Sequence, residues 1–407
     1  NAYLYGTRFL SYLALNYSPE QVIDWLRRGE DSERYYASQF KKVFGKRLED
    51  SWDDWIAFEH EFQRANLASV RENPLTPVRH LVDRGVGSAS RTYYDPDSKS
   101  LVGAFRYPGV VAHVGKMSLD SGEIKRLKDI KGPMLYRVSS TAFDPQSRSL
   151  FYTEDNNEFR DLVAVDIDTG KKRKLLKDAR IGDLAFDHSD RSIWGLRHLD
   201  GYVTLVNIPY PYEEWNQVYT WPDGQVLYEL DVSRDGKLLS ASMSEVTGNQ
   251  YLRIFKTEDL RKQDASYTTA FDFGSAVPEG FVFTDDGRYL YGTSYITGVS
   301  NVVRYEIETG DFEAVSNAET GFFRPVPLDD GRLMVYEFTG EGFVPSLIDP
   351  DPIEDLSAIT FLGSEIVKKH PVVKEWAVGS PKKVPLDDLI TNRGKYVPHK
   401  ELELSSG

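Results

Sequence analysis

Between Thr92 and Arg332 one pattern returns six times: an apolar strand, a turn of Asp, Ser, Gly or Pro, a Lys or Arg, and a second apolar strand. It occupies residues 92–99, 142–148, 184–191, 230–237, 281–288 and 326–332. The equivalent turn residues are Asp95, Asp144, Asp187, Ser233, Thr284 and Leu328, at steps of 49, 43, 46, 51 and 44 residues. Four short strands with their turns need about 40–50 residues, so each step is one four-stranded unit. A third strand follows, for example over 162–167, then the turn Asp168-Thr169-Gly170 and an outer strand over 173–176. The same layout recurs over 301–315 around Glu308-Thr309-Gly310. Asp-Gly and Thr-Gly pairs supply the positive φ of tight hairpins. Six such units predict a six-bladed β-propeller over about residues 75–350, a mainly β fold with an α-helical segment in front. Residues 77–82 read as an outer strand that completes the last blade, whose third strand lies near 344–348. Joining the chain's two ends in this way removes exposed edges.

The period changes in the first seventy residues. Leu4, Phe9, Leu10, Leu13 and Tyr17 recur at helical steps. Ser18-Pro19-Glu20 is an N-cap followed by Pro at the first helical position, and Val22, Ile23, Trp25 and Leu26 form the next apolar face before Gly29. A third helix is predicted over 35–43, closed by Gly45, and a fourth begins near Leu48 with Trp52, Trp55, Ile56 and Phe62. Four helices in residues 1–70 are expected to lack a rich core and to pack on something else. Residues 351–407 read as a tail broken by prolines, with a short helix over 364–376 and an extended arm over 396–404.

Composition agrees with a strand-rich globular chain. Of its 407 residues 40% are hydrophobic, and 24 Tyr with 21 Phe favour strands. No apolar run is long enough to predict a transmembrane helix. The net charge of −14 and the lack of a basic block argue against nucleic-acid binding. Cysteine is absent, which removes disulfides and thiolate metal sites. The chain opens on a helical pattern rather than on Met or a signal peptide, which reads as the interior of a larger protein.

Two resemblances add to this reading. The repeats, with their Ser-Pro-Asp-Gly-Lys-like turns, resemble the TolB-like family of propellers. Tyr3-Leu4-Tyr5-Gly6, Phe9, Tyr12-Leu13, the stretch 40–46 and Trp52-Asp53-Asp54-Trp55 resemble the C-terminal helical part of a gluzincin metallopeptidase domain, the superfamily of the zinc aminopeptidases. That resemblance implies a catalytic role for Tyr3, whose Y-x-x-G context matches the tyrosine that stabilises the tetrahedral oxyanion. It also implies zinc in the parent protein, although this chain supplies no metal ligand set and needs no cofactor of its own. His60-Glu61 is followed by Phe62-Gln63-Arg64, so the second His of H-E-x-x-H is missing. Proteins of this layout often continue into an outer-membrane-type barrel, which implies a periplasmic or cell-envelope location.

No nucleophile elbow, P-loop or dinucleotide fingerprint is present. Asp in the turns raises calcium, but the acid spacing of a calcium loop is absent. The seven His residues are scattered. Propeller topology does gather one set: the loops from second to third strands leave at one end. They carry Arg106, Tyr107, Glu154, Asp155, Arg197, His198, Glu245, Tyr295 and Glu337, a mixture of acids, bases and aromatics suited to binding a protein or peptide. The first functional reading is therefore a propeller binding and scaffold module of a larger cell-envelope protein. The second is the non-catalytic fragment of a zinc metallopeptidase whose H-E-x-x-H half lies upstream. A propeller enzyme acting on sugars is a third, and needs paired carboxylates in the channel.

Overall fold

The computed structural model describes residues 2–82, 84–134, 138–354, 356, 358–376 and 384–395. Pro381 and the arm over 396–404 lie outside these residues.

Four helices come first: α1 (Ala2–Asn16), α2 (Pro19–Leu26), α3 (Tyr36–Phe44) and α4 (Leu48–Val70). Their ends follow the sequence. The Ser18 Oγ accepts the Gln21 N–H at 3.2 Å, and Gly45 closes α3 at φ +70°. Phe9, Tyr12 and Leu13 of α1 meet Trp25, Phe40, Phe44 and Trp55 in one buried cluster. The helices thus share a small core of their own, beside the contacts with other parts of the chain that were expected. Most of these side chains are aromatic, so a few positions bury much area.

The bundle is also tied to the rest of the chain. Asn66 of α4 exchanges hydrogen bonds of 2.9 and 3.2 Å with the Thr360 backbone, and Arg71 pairs with Glu319 at 2.5 Å. A short helix, α5 (Thr257–Arg261), interrupts the fourth blade, and α6 (Leu362–Lys369) packs on α1. The helix expected over 364–376 starts two residues early and becomes a 3₁₀ turn at Pro371–Trp376, because Pro cannot donate the next helical bond.

Between the helices and the tail lie six antiparallel sheets. The second strands are Ser100–Arg106, Ser149–Asp155, Ile193–Leu199, Leu238–Glu245, Tyr289–Ser294 and Leu333–Thr339. Each has an inner strand on one side, ending at or just before the predicted turn residue, and a third strand on the other. In the first blade the inner strand is split into Ser88–Ala89 and Tyr93–Asp95. Second and third strands are sandwiched between neighbouring blades and read as near-continuous apolar runs, such as 162–165. Outer strands such as Ile124–Asp129 face solvent and carry Lys and Arg.

Six buried apolar clusters fill the six gaps between adjacent blades. One of them joins blade six to blade one through Met334, Tyr336, Leu101 and Phe105. Arg79–His80 pairs with the sixth blade, Arg79 opposite Leu347 and His80 opposite Ser346. The ring is closed by its N-terminal strand, as the reading of 77–82 expects. Because all strands are antiparallel, the loops from second to third strands share one end of the ring with the links between blades. That end, here the upper end, is where α4 and the Thr360 segment attach.

Candidate functional site

The inner strands surround the axis, and six equivalent residues lie four places before the turn residues: Arg91, Ser140, Asp183, Glu229, Gly280 and Arg324. In blades three to six the strand bulges there, and φ is +47°, +52°, +63° and +52° for Asp183, Glu229, Gly280 and Arg324. A bulge re-aims a side chain and strengthens twist. Here it turns two carboxylates and a guanidinium toward the axis.

These groups satisfy one another. Arg91 of blade one reaches across to the opposite blade and donates to the Leu230 carbonyl at 2.8 Å and to Asp231 Oδ1 at 2.6 Å. The other Asp231 oxygen accepts the Phe283 N–H at 2.7 Å. Arg324 lies 3.4 Å from Glu229, which also accepts the Gly280 N–H, and Asp183 accepts the Glu229 N–H at 3.2 Å. Burial alone disfavours the Arg91 charge, but Asp231 more than offsets this and holds the guanidinium ionised. Burial also pushes the neighbouring Tyr93 hydroxyl up to about 12. The space left among these strands is about 30 Å³, room for one or two waters. An ion network therefore crosses the axis at this level and braces opposite blades. These positions keep a fixed place in the sequence, four residues ahead of each turn, but vary in residue type from Arg to Gly, so the repeat does not mark them.

The predicted loop residues all lie at the upper end, spread around the ring by one or two per blade. Arg106, Asp155 and His198 are exposed, and Tyr107, Arg197, Glu245 and Glu337 are half-buried. Arg84 stacks on Tyr107 at 5.3 Å, and Arg197 stacks on Trp215 at 5.0 Å. Glu337 pairs with His80 of the closing strand at 2.5 Å. Tyr295 is 40% exposed, 6.1 Å from Phe323. Glu154 differs: it is only 4% exposed and is clasped by Lys172, so it supports the rim from beneath.

Apart from Tyr295, sequence reasoning passed over the exposed apolar members of the same loops. Val111, Phe159, Tyr202, Val246, Tyr295 and Phe338, one from each blade, are 39–58% exposed. At the opposite end only Tyr210 and Tyr267 are comparably large, apolar and exposed among the described residues. The upper rim thus alternates apolar side chains with Arg, His and Asp.

On the helices, Tyr3 is 91% exposed on α1 and His60 is exposed on α4. The residues here do not fit a zinc ion, since no three His, Asp or Glu side chains converge among the described residues.

No protein-family model matches this sequence, and no curated protein matches it. Solved structures do. Its structural neighbours include TolB proteins. TolB from Acinetobacter baumannii shares 13% identity at a TM-score of 0.43, covering 66% of this chain and 64% of that one. A putative TolB from Agrobacterium tumefaciens shares 11% at 0.44, covering 58% and 86%. An oligogalacturonate lyase from Vibrio parahaemolyticus shares 11% at 0.46, covering 67% and 93%. The chain spans slightly under two thirds of the Acinetobacter protein. Likeness at this level concerns the fold, and the six-bladed assignment rests on the strand pairing and the six inter-blade clusters.

Proposed function

We propose that this chain is the docking module of a larger cell-envelope protein, with the propeller as scaffold and its upper rim as the surface that holds a protein or peptide partner. The observation that carries this reading is the asymmetry of the two ends. Among the described residues, every blade puts at least one large exposed apolar side chain among charged groups at one end, whereas Tyr210 and Tyr267 are the two at the other. Interfaces draw affinity from apolar and aromatic anchors surrounded by polar groups. The envelope placement is supported by the TolB-like and gluzincin resemblances.

A photo-crosslinking amino acid placed singly at positions 202, 246 and 338, and at 210 and 267 as controls, tests the reading in cells that make the protein. A discrete adduct from the upper positions alone is expected. Equal labelling of both ends, or adducts only from 210 and 267, overturns it.

The second reading, a companion segment of a metallopeptidase, keeps one observation in its favour. Tyr3, where the resemblance puts an oxyanion-stabilising hydroxyl, stands in the open on α1, free to face another body. Sequencing the parent gene for H-E-x-x-H upstream of Asn1 decides it.

A further inference from the structure

Away from the propeller, α1, α2 and α4 enclose a groove of about 620 Å³. Phe9, Leu10, Trp25, Leu26, Leu48 and Trp52 form its walls. Leu26 and Trp52 are 44% and 37% exposed, although the bundle has a complete core beside them. Its volume is in the range of ligand and peptide sites.

Two features of the groove say what occupies it. The first is Gly6, which lines it from within α1. Glycine weakens a helix interior. Here no turn or positive φ requires it, and an added Cβ would meet nothing within 4 Å. Among the described residues nothing uses the space that Gly6 leaves. Close approach of another backbone is the remaining physical use of a glycine. The second is charge. Glu49 and Asp53 stand one turn apart on α4 at the groove's edge, both exposed. Glu49 has only the solvent-exposed Arg47 at 3.5 Å, and Asp53 has no ion-pair partner among the described residues. An occupant complementary to this edge carries cations one helical turn apart beside its apolar face.

We infer that this groove docks an amphipathic helix of a partner, seated by apolar anchors over Gly6 and flanked by Lys or Arg that face Glu49 and Asp53. This is helix-in-groove recognition. It is independent of the propeller rim, which lies on other elements.

The test uses two fluorescently labelled helical peptides with the same leucine-lined face, one flanked by Lys and one by Glu, titrated with the full chain. The Lys peptide is expected to bind, and the Glu peptide to bind about tenfold more weakly or not at all. Gly6→Leu fills the groove where there is open space, so it should abolish binding while leaving the melting temperature equal or higher. Asp53→Lys should reverse the preference between the two peptides. Equal binding of both peptides, binding unchanged in Gly6→Leu, or no binding of either overturns the inference. So does a concentration-dependent dimer that Gly6→Leu abolishes, because the occupant is then a second copy of this chain.

Discussion

At the residue scale, the repeated Asp and Arg turn out to be fasteners between blades. Asp95 of blade one is fully buried and receives both Arg148 amino groups, at 2.6 and 2.8 Å, from the turn of blade two. Asp144 of blade two receives Arg191 from blade three at 2.7 Å. Burial would raise both carboxyl pKa values, but hydrogen bonds from Arg148 and Ser98, and from Ser147 and Arg191, more than offset it and hold both below the ordinary range. Removing Arg148 leaves the buried carboxylate with the Ser98 hydroxyl and, as compensating charge, Lys116 at 3.9 Å. Arg148→Ala is expected to cost about 3 kcal/mol in denaturant unfolding. The lowered pKa values fix a sign. These carboxylates stabilise the fold above the unfolded-state value of about 4, and that contribution is lost as pH falls through the folded values. The melting temperature should drop steeply below about pH 4, and less steeply in Asp144→Asn, which starts lower. His188 acts in a different window. Burial and then Arg234, whose guanidinium is 3.0 Å away, lower its pKa, so the neutral ring is favoured in the fold. Stability should begin to fall as pH drops below about 6.5. His188→Gln should flatten that step, and unchanged slopes would refute the assignment.

At the element scale, one repeat in the sequence covers two kinds of turn. In blades one to three the fifth turn residue is not glycine and has positive φ: Lys99 at +45°, Arg148 at +57° and Arg191 at +63°. There the unusual backbone directs Arg148 and Arg191 to the preceding blade. In blades four to six the fourth residue is Gly236, Gly287 or Gly331, and the following base bonds locally, as Lys237 does to Asp235 and Arg332 to Asp330. The glycines are not equivalent either. A Cβ on Gly236 would sit 2.1 Å from Ser189 Oγ and 2.7 Å from Asp187 Oδ1, and that Asp is itself fully buried. A Cβ on Gly287 would meet nothing within 4 Å. Gly287→Ala is expected to cost about 1 kcal/mol, the left-handed penalty alone. Gly236→Ala should cost upwards of about 2 kcal/mol because the clash adds to it. Equal losses in parallel chemical denaturation would show that the contact with blade three yields freely.

At the scale of the whole molecule, the helices and the ring closure share one clamp. The Asn317 side chain, in the link between blades five and six, donates to the carbonyls of Val70, Asn73 and Pro74 at 3.0–3.3 Å. Its backbone exchanges bonds with Thr76, at 2.8 Å to Oγ1 and 3.0 Å from the amide. Three residues later the chain enters the closing strand, which pairs with blade six through Arg79 and His80. Asn317→Ala leaves these carbonyls short of a donor and should cost about 1–3 kcal/mol. Its distinguishing effect is where protection is lost. Amide exchange should quicken together in residues 70–80 and in the third strand of blade six, while blades two to four stay protected. Uniform quickening around the ring would mean that closure does not depend on this clamp.

The sequence by itself determined the blades and most of the helix ends. Turn chemistry, strand period and caps are local, and each is written within a few residues: Ser18 before Pro19, Gly45 after Phe44, and Asp144 before the turn that ends its strand. The closing strand was also legible, because a six-blade count left blade six one strand short. Tertiary structure alone decided what the charges do. Arg91 and Asp231 are 140 residues apart, and only ring closure brings them across the axis. Glu154 reads as a rim acid like its neighbours until the third and outer strands of its own blade bury it beneath Lys172. Burial and pairing depend on contacts between distant segments, so a local pattern carries no record of them. The same holds for the exposed rim and for the space beside Gly6, which appear only once the surrounding elements have been placed.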